Sequence, residues 1–263
     1  MSQRLRDTFA RARQEGRTLF VGYVTAGYPT PAETVPILLA MQEGGSDIIE
    51  LGVPFTDPLA DGATIQHANQ VALQQGVTLA RCFDFIRDAR QHGLTVPVLL
   101  MGYYNPILAR GEARACAEAA AAGADGWIVV DMPPEEAGSF LQACRANDLS
   151  FVPLIAPTTR DERIPLIAAA ADAFIYCVSV TGTTGKGNVA LEELPPFIER
   201  IRARTSLPLA VGFGITTREQ ARAVRRIADA AVVGSAIITA IDAAEVDRRV
   251  QRVREFVEDV SGQ

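Results

Sequence analysis

The sequence predicts a single (β/α)8 barrel with an extra N-terminal helix and an inserted helix after the second strand, on three observations. Eight short apolar or β-branched runs alternate with helical segments from one end of the 263 residues to the other. The runs are continuously apolar or β-branched, as strands covered on both faces are. No linker or break in composition divides the chain, so eight βα units over 1–263 favour one closed barrel over an open doubly wound sheet.

The strands fall at Leu19–Thr25, Asp47–Leu51, Val96–Met101, Gly126–Val130, Ser150–Ile155, Ala173–Val178, Leu209–Val211 and Ala230–Val233. Between them, Leu79, Cys82, Phe83 and Ile86 share one helical face with Gly93 as a stop. Val246, Val250, Val253 and Val257 do the same in the last helix. Glu112–Ala122 is alanine-rich and ends at Gly123, and Glu135–Asn147 opens after Pro133-Pro134. Arg160–Ala171, Ala190–Arg204 and Thr217–Ala228 complete the set. The leading helix, about Gln3–Glu15, would cover the bottom of the barrel, and the inserted one runs over about Ile65–Gln74.

Composition narrows the function classes. A net charge of −6 without a basic stripe argues against nucleic acid as a partner. No apolar run approaches a membrane span, and the charged N-terminus lacks the apolar core of a signal peptide, so a cytoplasmic protein is expected. Cys82, Cys116, Cys144 and Cys177 are far apart in sequence, form no metal-like pair and read as buried free thiols. The two histidines, His67 and His92, are too few for a His-rich metal site; His92 precedes Gly93 at a helix C-terminus, where a positive charge suits the dipole. Of the 25 basic residues all but Lys186 are arginine, which nearly excludes a mechanism built on a buried lysine.

The longest interruptions of the βα rhythm mark the candidate site. After the second strand, Glu50 is followed by Gly52 and Pro54 and then by a loop carrying Asp57 and Asp61. An acid at the end of a buried strand points into the barrel mouth, where desolvation raises its pKa and suits it to proton exchange near neutral pH. Asp61, eleven residues on, can fold back across the same mouth. Tyr176, ending the sixth strand, can offer a phenol there, with Tyr23 and Phe213 as apolar walls for a flat substrate. Glycine turns follow the last three strands: Gly185, Gly214 and the Gly234-Ser235 pair before a helix. In barrels, loops at these positions commonly hold phosphate through backbone N–H groups.

These residues carry a resemblance. ELGVPFTDPLADGATIQ at Glu50–Gln66, MGYYNP at Met101–Pro106, VDMPPEE at Val130–Glu136, VGFGI at Val211–Ile215 and GSAI at Gly234–Ile237 resemble the tryptophan synthase α subunit family, in register from about Thr8 to Ala240. The resemblance implies a retro-aldol cleavage of indole-3-glycerol phosphate to indole and glyceraldehyde 3-phosphate. It implies Glu50 as general acid/base, Asp61 on the indole N–H, Tyr176 beside the reacting centre, and phosphate on Gly185, Gly214, Gly234 and Ser235. Thr184-Gly185 matches the family's closing Thr-Gly, which puts Thr184 with Tyr23 and Phe213 at the indole pocket. Departures from the family pattern are modest: Thr56 stands where serine is common and Ala63 where proline is common.

The chemistry suits those residue types. A proton delivered to indole C3 creates an indolenine with positive charge on nitrogen, which a facing carboxylate stabilises as it develops. The ring is its own electron sink, so neither metal nor Schiff base is required and no cofactor is expected in this chain. The resemblance further implies an α2β2 tetramer with a β subunit that carries pyridoxal phosphate, with Asp57 and Pro58 as rim contacts. Several segments look closer to the fungal form, where this domain is fused to the β domain. Ending at Gln263, the chain is expected to need a separate partner. A stand-alone lyase releasing indole, and a mainly non-catalytic activator of β, remain the alternatives.

Overall fold

The computed structural model describes residues 2–178, 193–212 and 214–262. Parallel strands form a curled sheet ringed by helices. The strands are β1 (Leu19–Thr25), β2 (Ile48–Gly52), β3 (Val98–Gly102), β4 (Gly126–Val129), β5 (Ser150–Phe151), β6 (Leu154–Ile155), β7 (Ile175–Val178), β8 (Leu209–Gly212) and β9 (Ala230–Val233). They run in the order β5-β4-β3-β2-β1-β9-β8-β7-β6, each paired neighbour parallel.

The two ends of that order are halves of one expected strand, separated only by Val152-Pro153. The Val152 N–H still donates to Trp127 O in β4 at 2.9 Å, whereas the Pro153 carbonyl accepts from Tyr176 N–H in β7 at 3.0 Å. Proline has no N–H for a continuing ladder. The hydrogen bonds therefore change partner at Pro153, and the ring closes through the chain itself. The second strand is shifted by one residue from expectation, running Ile48–Gly52 rather than Asp47–Leu51.

The helices are α1 (Gln3–Glu15), α2 (Pro31–Glu43), α3 (Ala63–Gln74), α4 (Leu79–Gln91), α5 (Tyr104–Arg110), α6 (Glu112–Ala122), α7 (Gly138–Ala146), α8 (Ile164–Ala170), α9 (Leu194–Arg202), α10 (Arg218–Val224), α11 (Ser235–Asp242) and α12 (Arg249–Ser261). α1 and α6 end where expected because Gly16 and Gly123 take left-handed caps, at φ 64 and 94. α2 and α5 are absent from the sequence reading. α2 packs against both α4 and α12, buries residues on more than one side and contains Pro36, so it lacks a one-sided stripe. α7 starts at Gly138 rather than Glu135, and a 3-10 turn over Asp161–Arg163 precedes α8.

Strand alternation divides the apolar residues into two cores. Val21, Ile48, Leu99, Ile128, Val152, Phe174, Ala210 and Val232 fill the barrel interior. Leu5 and Ala12 of α1 belong to that interior cluster, and Phe9 packs on Phe174 with ring centroids 5.3 Å apart. α1 thus closes the bottom, as expected. The outer core, under the helices, includes an aromatic chain in which Phe140 meets Trp127 at 6.0 Å and Phe151 at 6.1 Å. All four cysteines are buried and free. The fold brings two of them together despite their separation in sequence: Cys116 on α6 and Cys144 on α7 lie with Sγ atoms 3.7 Å apart.

Asp125, just before β4, ties the bottom together. Its carboxylate accepts from Ser2 Oγ at 2.6 Å, Val98 N at 2.9 Å, Arg90 Nη2 at 2.9 Å and Arg4 Nη1 at 3.1 Å. Arg90 in turn reaches the carbonyls of Leu94, Val96 and Gly123. Removing the carboxylate takes the acceptor from the buried Val98 N–H and Ser2 hydroxyl and the counter-charge from the largely buried Arg90, so Asp125→Ala is expected to cost about 3 kcal/mol. Urea unfolding measures it, and because this is the face away from the barrel mouth, turnover per folded molecule should hold.

Candidate active site

The mouth is built from inward-facing positions of β1, β2, β7, β8 and β9. In β1, Leu19 and Val21 face the interior, so Tyr23 two residues on does too; in β2 the same parity takes Ile48 to Glu50 and Gly52. Register sets Glu50 opposite Tyr23 of β1 and Leu99 of β3. Phe174 and Tyr176 share the inner face of β7, and Ala210 and Gly212 that of β8.

Glycines one level up make room for the two tyrosines. A Cβ at Gly52 would lie 2.2 Å from Tyr23 Oη, and one at Gly212 would lie 2.3 Å from Tyr176 Oη. Each phenol therefore lies across a strand position that only glycine leaves open. At Gly234 a Cβ would sit 3.4 Å from the Tyr23 ring, an ordinary contact, so the ring packs beside that position without requiring glycine there. The Tyr23 hydroxyl is satisfied locally by Thr25 Oγ1 at 3.1 Å.

Glu50 is fully buried, and neither carboxyl oxygen has a hydrogen-bond partner among the described residues. Desolvation by burial pushes this carboxyl up to about 8. Asp61 is half-buried, and its environment differs in kind. Tyr103 Oη donates to Asp61 Oδ2 at 3.2 Å and Asn69 Nδ2 donates to the same oxygen at 3.3 Å. Burial pushes Asp61 up to about 6, while these two bonds pull the other way. Burial raises Tyr176 well above the ordinary phenol range, and the nearby charges of Glu50 and Asp61 add to it; Tyr23 rises for the same reasons. The charges of both Glu50 and Asp61 thus reach Tyr23 and Tyr176, which brings the four side chains to one mouth.

On the far side of Tyr23 stands the start of α11. Gly234 occupies its N-cap with no side-chain cap, Ser235 is its first residue, and Gly214 after β8 holds φ +60. Thr184, Gly185 and Phe213 lie outside the described residues, as does Lys186. On the opposite rim, Asp57 is exposed and Leu59 beside Pro58 is 84% exposed, although the turn is pinned by Asp61 N–H donating to Pro58 O at 3.0 Å.

Three residues of this surrounding were not singled out from sequence: Asn69, Leu59 and Tyr103. The signals are thin. Asn69 lies eight positions after Asp61 on the inserted helix, and Leu59 is an apolar residue inside an otherwise polar turn. Tyr103 reaches Asp61 from 42 positions away, which no local pattern shows. Among the described residues no group of three His, Cys, Asp or Glu side chains could hold a metal ion, and no helix is long and apolar enough to cross a membrane.

Comparison with known proteins gives the family and the fold. Residues 9–262 match the family model described as Tryptophan synthase alpha chain. The chain is 50% identical over 261 residues to a protein named Tryptophan synthase from Saccharomyces cerevisiae, covering 99% of this chain but only 37% of that protein. It is 48% identical over 259 residues to the Tryptophan synthase alpha chain of Roseiflexus castenholzii, covering 98% of this chain and 99% of that one. Among solved structures, the tryptophan synthase subunit alpha of Legionella pneumophila superposes with a TM-score of 0.91 at 34% identity, over 100% of this chain and 98% of the other. Tryptophan synthase of Mycobacterium tuberculosis gives 0.90 at 32% identity, with the same coverage.

Proposed function

The chain belongs to the tryptophan synthase alpha chain family, whose alpha subunit cleaves indole-3-glycerol phosphate for a beta subunit, and from that premise we propose that Glu50 and Asp61 carry out the cleavage. One observation supports the division of labour: two acids in one buried mouth are pushed to different values, about 8 and about 6. Such a split assigns the acid and the anion. Near neutral pH Glu50 keeps its proton and Asp61 is largely ionised.

Glu50 delivers its proton to indole C3, and Asp61 faces the ring N–H as positive charge grows there. The bond from C3 to the glycerol carbon then breaks, its electron pair returning to the ring. The hydroxyl on that carbon loses its proton to the Glu50 carboxylate as the aldehyde forms, which restores the acid. Indole and glyceraldehyde 3-phosphate leave. As written, this lyase chemistry uses no metal and no Schiff base. Tyr176 and Tyr23 line the reacting centre, with Thr184 and Phe213 as further walls of the indole pocket. The phosphate lies at the first N–H groups of α11, from Gly234-Ser235, and at Gly214, with Gly185 carried over from the family resemblance.

The beta subunit docks where Asp57, Pro58 and the exposed Leu59 form the rim, in an α2β2 tetramer whose pyridoxal phosphate belongs to beta. A cytoplasmic setting suits such a biosynthetic pair.

The test is to incubate the purified chain with indole-3-glycerol phosphate, alone and with a beta subunit, and to follow indole and tryptophan. Cleavage stimulated by beta supports the reading; fast release of free indole by the chain alone points to a stand-alone lyase, and no cleavage in either condition rejects an enzyme. The same assay checks the proton roles. kcat/KM should rise through about pH 6 as Asp61 ionises and fall through about pH 8 as Glu50 loses its proton. A profile flat across this range would contradict the assignment.

A further inference from the structure

We infer that Tyr103 and Asn69 are positioning residues that together occupy Oδ2 of Asp61, fixing its carboxylate plane so that Oδ1 is left to face the substrate. This deepens the role proposed for Asp61 and rests on it.

Tyr103 follows β3 directly and is the N-cap of α5, so its backbone is set by the barrel and not by the acidic loop. Its phenol uses both of its capacities on that loop. The oxygen accepts the Ala60 N–H at 2.9 Å, and the O–H donates to Asp61 Oδ2 at 3.2 Å. Phe55 stacks on the ring at 4.9 Å and 26° between planes, which restrains it from the loop side. Asn69 comes from a third element, α3. It is 3% exposed, its Nδ2 donates to the same Oδ2 at 3.3 Å, and its own carboxamide oxygen is buried with no partner among the described residues.

The consequence is directional. With two donors on Oδ2, from the barrel rim and the inserted helix, the carboxylate resists rotation about its terminal torsion. No donor from the described residues meets Oδ1. A flat ring with one in-plane N–H gains most from an acceptor whose lone pairs already point at it, because nothing then has to reorganise as charge develops. The same two bonds favour the ionised carboxylate against its burial. Stacking on Phe55 would be served equally by phenylalanine; the hydroxyl is needed only for the loop.

Tyr103→Phe keeps the ring and the stack and deletes both bonds. In steady-state cleavage of indole-3-glycerol phosphate with the beta subunit present, kcat should fall about 10- to 100-fold, the loss expected for a hydrogen bond to a charged group. KM should change by less than about 3-fold. The low-pH limb of kcat/KM should move up by about one unit, matching a roughly tenfold change in the ionisation constant. Asn69→Ser, which loses the Nδ2 donor, should move the limb in the same direction. Asp61→Asn is measured in parallel. If that variant turns over normally, the role of Asp61 itself is wrong. If it is inactive while the limb stays in place in both Tyr103→Phe and Asn69→Ser, the positioning role is overturned and the two residues are structural. Should Tyr103→Phe fail to fold, the limb in Asn69→Ser decides alone.

Discussion

Glu50→Gln is expected to lose at least about 100-fold in kcat, the range for removing a general acid, while making the folded chain more stable at alkaline pH. The two effects share a cause. Both oxygens of this carboxyl are buried without partners among the described residues, and the proton it needs for chemistry is kept by that same burial. In the unfolded chain the group titrates near 4.5, and in the folded chain near 8. Between those values the folded state binds more protons than the unfolded one, so stability falls as pH rises. Below about 4.5 the acid is neutral in both states and the contribution is intact; above about 8 the folded state bears a buried, desolvated anion and the contribution is gone. The difference is on the order of a few kcal/mol. Glutamine carries no proton to lose, so the gap between variant and native midpoints in urea should widen from acid to alkaline pH. A variant with native turnover, or one whose stability follows pH as the native chain does, would remove Glu50 from its role.

Asp61→Asn should be at least as damaging to the chemistry, by about 10²–10³ in kcat, the usual cost of losing a group that stabilises transition-state charge. The amide is close in shape and its oxygen can still accept from Tyr103 and Asn69, so the loop should keep its place. What it then turns toward the substrate is an N–H, a donor opposed to the ring N–H, without the negative charge that the growing indolenine requires. The loss should therefore appear in kcat, with binding of glycerol phosphate as a phosphate probe unchanged. Single-turnover formation of indole separates the two, and the limb near pH 6 should vanish from whatever activity is left. A large rise in KM at constant kcat would mean that Asp61 binds substrate and transition state alike.

Much of this arrangement was legible in the residues because it is written locally. An acid in an apolar strand, followed at once by Gly52 and Pro54, announces a buried carboxylate beside an irregular loop. Gly16 and Gly123 mark helix ends because only a left-handed cap needs them. Elements that depend on distant neighbours stayed hidden. α2 shows no one-sided stripe because helices press on it from two directions. The split at Pro153 emerges only when both adjoining strands are in place to compete for the ladder. Tyr103 belongs to Asp61 by virtue of barrel geometry, and Cys116 meets Cys144 because α6 and α7 lie side by side. The parts of the site outside the described residues, Thr184, Gly185 and Phe213, rest on sequence alone.

The phenols lying across Gly52 and Gly212 make the shape of the reaction chamber a shared property of paired positions. Positions 23 and 52 divide one volume between them, and 176 and 212 divide another. A methyl gained at either glycine has to be matched by bulk given up at its tyrosine, so each pair is bound to drift together or stay still. The chamber can then be reshaped only in coupled steps, and a single change at 52 or 212 shifts an aromatic wall before it touches any acid.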